Sequence, residues 1–157
     1  MALCRKVTTM KKLSLLSLLA AGAMISQSSY AQPSFPMTYI GQLAVQKIGG
    51  PPLNCDFEVI FLSTTAVDVN NTSPAWPCNT FSIDSNSHSY TYDHVTKELE
   101  IFGFEVSTTL TEGNCHGDLA AYKDGGVIVI TEAELEGGYV GSVKTGNCLV
   151  DGALERD

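Results

Sequence analysis

The chain has 157 residues, of which 17 are acidic and nine are basic, so its formal net charge at neutral pH is −8. This length fits a single domain of ordinary size. A surface with this charge repels phosphate backbones, so the composition argues against a nucleic-acid partner.

The N-terminal segment has the pattern of an export signal. Basic residues at positions 5, 6, 11 and 12 precede a mostly apolar run over residues 13–25, and Ser29-Tyr30-Ala31 follows. Small residues at Ser29 and Ala31 suit signal peptidase, so we predict a signal peptide over residues 1–31 that is cleaved after Ala31. The apolar run is shorter than the roughly 20 residues that span a bilayer, so we expect no membrane span. We therefore expect the protein in the periplasm, at the cell surface or outside the cell.

Removal of the signal peptide would leave residues 32–157 as one domain and would change its charge. All 17 acidic residues stay, and five basic ones remain, which gives a net charge of −12. Such a surface keeps an exported protein in solution. Alternatively, the same acidic surface would bind divalent cations weakly.

Cysteine usage agrees with export. Four of the five cysteines fall in the domain, at Cys55, Cys78, Cys115 and Cys148. An even number in an oxidising compartment predicts two disulfides. Of the three possible pairings we favour Cys55–Cys78 with Cys115–Cys148, because each half of the domain then has its own cross-link. A zinc site would need closely spaced cysteine pairs, which this sequence lacks.

The first half of the domain has the residue alternation of β-strands. Residues 38–48 predict the first strand, which the Gly-Gly-Pro-Pro run at residues 49–52 ends. Residues 70–77, which are rich in Pro, Ser, Thr and Asn, predict a loop. Between them, residues 55–61 place four side chains on one face, namely Cys55, Phe57, Val59 and Phe61.

The middle of the chain continues in the same way. Residues 81–83 and 88–92 predict strands on either side of a polar turn at residues 84–87. Along residues 98–106 the apolar positions change phase beside Gly103. This change predicts a β-bulge or a bend between two sheets.

The C-terminal part contains the strongest hairpin signal, Asp124-Gly125, between residues 119–123 and 126–131. Residues 127–130 are apolar on both faces, so we expect a central strand that is covered on both sides. Residues 132–136, 139–144 and 148–154 complete the pattern. Together the segments predict an all-β domain, an antiparallel β-sandwich or small barrel of about nine short strands.

No motif indicates an enzyme or a cofactor. The sequence has no nucleophile elbow, and cysteines held in disulfides supply no thiolate. The closely spaced glutamates of two strand segments fall on a solvent face, and they are Glu98, Glu100, Glu132, Glu134 and Glu136. We therefore expect a protein that is not an enzyme and carries no cofactor or metal.

The histidines and two short motifs give weak signals. His88, His94 and His116 lack metal-site spacing, so we expect them at the surface or at strand ends. Residues 84–88 begin like a calcium loop, but the required Gly and Glu are absent from its sixth and twelfth positions. Asn71-Thr72-Ser73 matches a glycosylation acceptor, a tripeptide that is common by chance.

Three aromatic residues are candidate ligand contacts. Tyr90 and Tyr92 fall on one face of a predicted strand, and Trp76 lies in a predicted loop. Exposed aromatic side chains bind sugars or lipid-like molecules. The alternative is that they belong to the core.

The segments around the cysteines resemble a known family. These are Leu53-Asn54-Cys55-Asp56-Phe57, Trp76-Pro77-Cys78, residues 103–108, Gly113-Asn114-Cys115-His116-Gly117 and residues 146–154. Their arrangement resembles the protein activators of alkane oxidation, which are small exported bacterial proteins. The resemblance implies a β-rich, non-enzymatic protein that is secreted or attached to the cell surface and is associated with alkane use. This chain differs from that family in being strongly acidic and less rich in Ser, Thr and Gly.

Two hypotheses follow. The first is a non-catalytic exported or cell-surface protein that contacts apolar small molecules or surfaces. The alternative is a structural or adhesive subunit of a biofilm or fibre that self-associates by strand pairing, with residues 38–48 joining the sheet edge of another molecule.

Overall fold

The computed structural model describes residues 33–84 and 87–157. The predicted signal peptide lies outside the described residues. Eleven strands occur in the described part: β1 (Met37–Lys47), β2 (Leu53–Phe61), β3 (Ala66–Asn71), β4 (Phe81–Ile83), β5 (His88–Tyr92), β6 (Glu98–Thr108), β7 (Cys115–Asp124), β8 (Val127–Gly137), β9 (Tyr139–Val140), β10 (Val143–Lys144) and β11 (Cys148–Arg156). A 3₁₀ turn, Cys78–Thr80, precedes β4.

Eight of these strands close into an antiparallel barrel. Each pairs with its neighbour in the order β1, β2, β3, β5, β6, β7, β8, β11, and β11 returns to β1. Strand β4 pairs with the end of β6, and β9 with β10 forms a separate hairpin between β8 and β11. The predicted all-β fold is confirmed, and the barrel is the alternative that occurs. No helix among the described residues is long and apolar enough to cross a membrane.

Closure depends on the pairing of the first and last strands. Their register runs over nine residue pairs, from Tyr39 opposite Arg156 to Lys47 opposite Cys148. Glycines allow a close approach there, because a Cβ on Gly41 would lie 2.3 Å from the Ala153 carbonyl oxygen, and one on Gly152 would lie 2.4 Å from that of Gln42. Larger residues at either position would push the closing strands apart.

The interior is filled by alternate side chains of every barrel strand. On β2, Cys55, Phe57, Val59 and Phe61 are buried, as predicted. The phase change on β6 is a β-bulge, since the register with β7 shifts between Ile101 and Phe104. Gly103, with φ of +66°, occupies the bulge, and its N–H donates to Asp118 Oδ1 at 3.0 Å.

The prediction for residues 127–130 was wrong. Ile128 and Ile130 are buried, but Val127 and Val129 are 38% and 37% exposed. The strand lies in a single-layered barrel wall, so nothing covers its outer face. A second β-bulge lies at Glu132, whose φ is +45°. Because the bulge adds a residue, the side chains that face inward are Ile130 before it and Ala133 and Leu135 after it.

One end of the barrel is closed by aromatic rings; we call it the aromatic end, formed by Tyr39, Phe61, Tyr90 and Tyr92 with Lys123. The Phe61 ring lies 5.6 Å from the Tyr39 ring and 4.8 Å from the Tyr90 ring, both edge to face. The three hydroxyls donate to backbone carbonyls, namely those of Gly125, Ser63 and Lys123. Rings and hydrogen bonds together fill this end.

Lys123 inserts its ammonium among these rings. Nζ lies 4.7 Å from the Tyr92 ring centroid, 5.5 Å from that of Tyr39 and 5.8 Å from that of Phe61. Burial is the main reason that the pKa of Lys123 lies below its ordinary value, and the positive charges of Arg156 and Lys97 act in the same direction.

The opposite end, which we call the loop end, carries four connections: residues 48–52, 72–80, 109–114 and 138–147. Both disulfides lie there and both join as predicted, Cys55 with Cys78 and Cys115 with Cys148. The first ties a loop to β2, and the second joins the starts of β7 and β11. The two disulfides therefore cross-link the loop end of the barrel.

We expect each disulfide to contribute about 3–4 kcal/mol to stability, because it constrains the unfolded chain across separations of 23 and 33 residues. The variants Cys55→Ala/Cys78→Ala and Cys115→Ala/Cys148→Ala should lower the urea unfolding free energy by that amount. Reduction of the wild type should destabilise it by more than either double variant, and an unchanged midpoint after reduction would contradict the assignment.

We also expect Lys123 to make stability pH-dependent. Because its pKa is lowered on folding, the unfolded chain binds more protons near the ordinary lysine pKa, and stability should rise as the pH approaches that value. The wild type should therefore gain stability relative to Lys123→Met between neutral pH and about pH 10. Parallel urea titrations of both proteins measure this difference, and a constant or falling difference would contradict the burial of the cation.

Candidate functional site

An apolar cavity of about 270 Å³ opens at the loop end. Of the described residues that line it, only Lys47 is charged. Its wall is formed by the ends of barrel strands and by three of the loops. The apolar residues of the wall include Val45, Leu53, Trp76, Pro77, Phe81, Val106, Leu110 and Cys148. The surface of the cavity is therefore mostly hydrocarbon and aromatic.

Side-chain size explains why the space lies at this end. The inward residues here include Val45, Val106 and the cystine at Cys148, which are small, while rings fill the aromatic end. A barrel of eight strands has an interior just wide enough for side chains to fill. Small side chains in one layer therefore leave a cavity there.

Trp76 stands at the rim and is 73% exposed. Its loop is fixed from both sides. The Cys55–Cys78 disulfide anchors one side, and the Asn71 side chain donates from Nδ2 to the carbonyls of Cys78 at 2.7 Å and Phe81 at 3.0 Å. The indole is thus held in place although little protein covers it.

Further hydrogen bonds secure the same loop. Thr80 Oγ1 donates to the Pro77 carbonyl at 2.6 Å and lies 3.1 Å from Thr108 Oγ1 on β6. At the start of the loop, the Asp56 N–H donates to Ser73 Oγ at 2.6 Å. These contacts join the Trp76 loop to strands on both sides of the cavity.

Lys47 closes another side. The residue lines the cavity, and its ammonium donates to the carbonyls of Glu112 and Gly113 in the β6–β7 loop. The positive charge of Lys47 is therefore hydrogen-bonded to backbone oxygens at the rim of the cavity.

Two Gly-Asn-Cys motifs hold the β9–β10 hairpin against the rim. The Gly138 N–H donates to the Asn114 carbonyl at 2.7 Å, and the Gly137 N–H donates to Asn147 Oδ1 at 3.0 Å. Asn147 Nδ2 donates in turn to Glu134 at 2.7 Å. The asparagines next to the second disulfide thus serve to position the hairpin.

The three aromatic candidates fall at different places. Trp76 belongs to the cavity, whereas Tyr90 is buried and Tyr92 half-buried at the aromatic end. Tyr90 is therefore a core residue, which is the alternative that the sequence left open for these aromatic residues. Tyr92 shares an edge-to-face contact at 4.7 Å with the exposed His94, beside a shallow depression.

The histidines do not converge. His94 and His116 are exposed, as expected. His88 begins β5, at a strand end as expected, but its side chain is buried with its ring 5.8 Å from that of Phe104. Within the described residues its Nε2 has no hydrogen-bond partner, and no group of three or more metal-ligating side chains is found there.

Acidic residues near His94 have a structural role. Asp93 Oδ1 accepts hydrogen bonds from the N–H groups of Val95 at 2.7 Å and Thr96 at 3.1 Å, and these bonds lower the pKa of Asp93. The Asp93 carboxylate therefore shapes the turn between β5 and β6.

The glutamates of β6 and β8 that we predict to face solvent are exposed.

Asn71 and Lys47 are the contributors to the site that sequence patterns did not single out. Asn71 belongs to the glycosylation tripeptide, but both bonds from its Nδ2 are made to the loop. The repeated Gly-Asn-Cys motif is the sequence signal that points to this end of the barrel. Comparison with known protein families, curated proteins and solved structures finds no match for this chain.

We expect Asn71→Asp to loosen the Trp76 loop, because the carboxylate cannot donate to the Cys78 and Phe81 carbonyls and repels them. The loss should be about 1–3 kcal/mol in unfolding free energy, with a change in Trp76 emission. Asn70→Asp adds the same charge at an exposed neighbour and serves as the matched control. Equal effects of the two substitutions in urea unfolding would contradict the anchoring role.

Proposed function

We propose that this is a non-catalytic exported protein that binds a small hydrocarbon-like molecule in the loop-end cavity. The observation that carries the proposal is the cavity itself, with its apolar lining and a fixed, exposed tryptophan at the rim. Specific small-molecule sites are concave and mostly apolar, with few polar groups. The resemblance of the cysteine-centred segments to activators of alkane oxidation supports the same class of ligand.

The size of the cavity limits the ligand. An apolar cavity of about 150 Å³ takes up benzene, so about 270 Å³ suits a molecule of roughly ten carbon atoms. Transfer of about eight methylene-sized groups from water contributes on the order of 6 kcal/mol, which corresponds to a Kd in the tens of micromolar. A short alkyl chain or a small ring fits this volume and would bind with an affinity of this order.

The chemistry of the wall supports binding over catalysis. The charged group among the described lining residues is the Lys47 ammonium, which is engaged by backbone carbonyls. The hydroxyls of Ser107, Thr108 and Thr111 reach the lining without a histidine or carboxylate among the described lining residues to activate them. Two disulfides and the signal-like N-terminus support export.

Assembly by strand pairing is less well supported. The alternative hypothesis used residues 38–48 as a free strand, but β1 pairs along its length with β2 on one side and β11 on the other. A closed barrel leaves that strand no open edge to offer. Self-association by this route would require the barrel to open.

Trp76 is the only tryptophan in the chain, so its fluorescence reports on the cavity directly. Addition of n-octane to the exported product of the full chain should shift its emission to the blue, and the shift should grow with the dissolved octane up to its low solubility limit in water. Val106→Phe places a ring in the cavity and should weaken octane binding about tenfold or more while leaving the fold intact.

Val129→Phe makes the same change on the outer barrel wall and is the matched control, so it should bind octane like the wild type. Circular dichroism of all three proteins verifies folding. Absence of any octane-dependent change in the wild type, or equal binding by Val106→Phe, would refute the proposed function.

A further inference from the structure

The loop end differs from the rest of the surface in charge. Its four loops, residues 48–52, 72–80, 109–114 and 138–147, contain one acidic residue, Glu112, and one basic residue, Lys144. Lys144 forms an ion pair with Glu136 at 3.6 Å. The other 16 acidic residues of this strongly negative domain lie outside these loops, so the loops themselves are close to neutral. The charged groups that contact them from the strands include the Lys47 ammonium and the carboxylates of Glu134 and Glu136.

The same loops expose apolar side chains. Tyr139 and Val143 on the β9–β10 hairpin are 66% and 68% exposed, and further large apolar residues are exposed on the other three loops. These are Ile48, Trp76 and Leu110. We call the five together the apolar rim. Exposed apolar side chains gathered around one opening mark an interaction surface more often than scattered ones do.

The rim is built onto the cavity mouth. Trp76 and Leu110 line the cavity, and the Ile48 N–H donates to the Asn147 carbonyl at 2.8 Å, which links the β1–β2 loop to the hairpin. The Thr145 hydroxyl and N–H both bond to the Gly138 carbonyl at 2.8 Å, which fixes the base of the hairpin. The exposed side chains are therefore presented by anchored loops.

We propose that the apolar rim docks onto the surface of an electrically neutral phospholipid bilayer, with the cavity mouth against the lipid. Burial of apolar side chains at the lipid boundary drives such binding, and Trp and Tyr are the residues that favour the headgroup level. Because the loops carry almost no net charge, docking removes few charges from water. The acidic barrel wall stays in solvent and is repelled by anionic lipid.

Docking in this orientation gives the cavity a source of ligand. A hydrocarbon-like molecule dissolved in the bilayer can enter the cavity without crossing water, in which it is poorly soluble. This delivery step rests on the proposed function, but the docking does not. The two are therefore measured separately.

The test uses the exported product of the full chain, with its mass checked so that residues 1–31 are known to be absent, and vesicles of phosphatidylcholine. We expect the protein to float with the vesicles and Trp76 emission to shift to the blue without added ligand. Tyr139→Ser/Val143→Ser should weaken vesicle binding about tenfold or more. Leu62→Ser/Val95→Ser removes exposed apolar groups from turns outside the loop end and should leave binding unchanged.

Replacement of part of the phosphatidylcholine by phosphatidylglycerol should weaken binding. Failure to float with neutral vesicles, equal losses in the two double variants, stronger binding to anionic vesicles, or adsorption to a hexadecane emulsion alone would each overturn the docking. Tyr139 and Val143 do not line the cavity, so octane affinity in lipid-free solution should be unchanged in their variant. Loss of octane binding in the wild type refutes the proposed function instead and leaves the docking result intact.

Discussion

Closure of the sheet is the constraint on which the rest of this structure depends. The nine-residue pairing of β1 with β11 removes both edges that an open sheet would expose. It also forces every barrel strand to place one face inside and the other in solvent. The interior then has a fixed width, and the sizes of the inward side chains decide where it is full and where it is open.

The two ends of the barrel use that fixed interior in opposite ways. At the aromatic end, the rings of Tyr39, Phe61 and Tyr92 surround the Lys123 amine. At the loop end, smaller side chains leave a cavity, and disulfides with side-chain-to-backbone hydrogen bonds replace packing as the source of rigidity. The loop end, which lacks a filled core, is therefore held in place by cross-links.

Local patterns predicted most of the fold and little of the site. Alternation located the strands, and the phase change beside Gly103 predicted the bulge or a bend. Both disulfides followed from giving each half of the domain its own cross-link. The prediction that residues 127–130 are covered on both faces was wrong, because a sequence that is apolar on both faces of a strand does not show whether the outer face is covered or lies in solvent. The number of layers is a tertiary property that no single strand encodes.

The site was harder to predict because its parts are far apart in the sequence. Trp76 was singled out as an aromatic in a loop, but its position at a cavity follows from Val45 and Val106 on strands that closure brings to the same end. Asn71 stands out in the sequence only as part of a tripeptide that is common by chance, since nothing local shows that the Cys78 and Phe81 carbonyls accept both bonds from its amide nitrogen. His88 was placed at a strand end without any signal that it faces inward.

The pairing of the first and last strands also sets the order in which the molecule can be made. Neighbouring strands can pair as soon as they leave the ribosome, but β1 keeps one unpaired edge until β11, which ends at Arg156, has been synthesised. The closing contact joins the most distant parts of the chain, so its loop entropy is the largest of any strand pair. Completion of the barrel therefore waits for β11, and until that strand is present the chain is an open sheet with β1 at its edge.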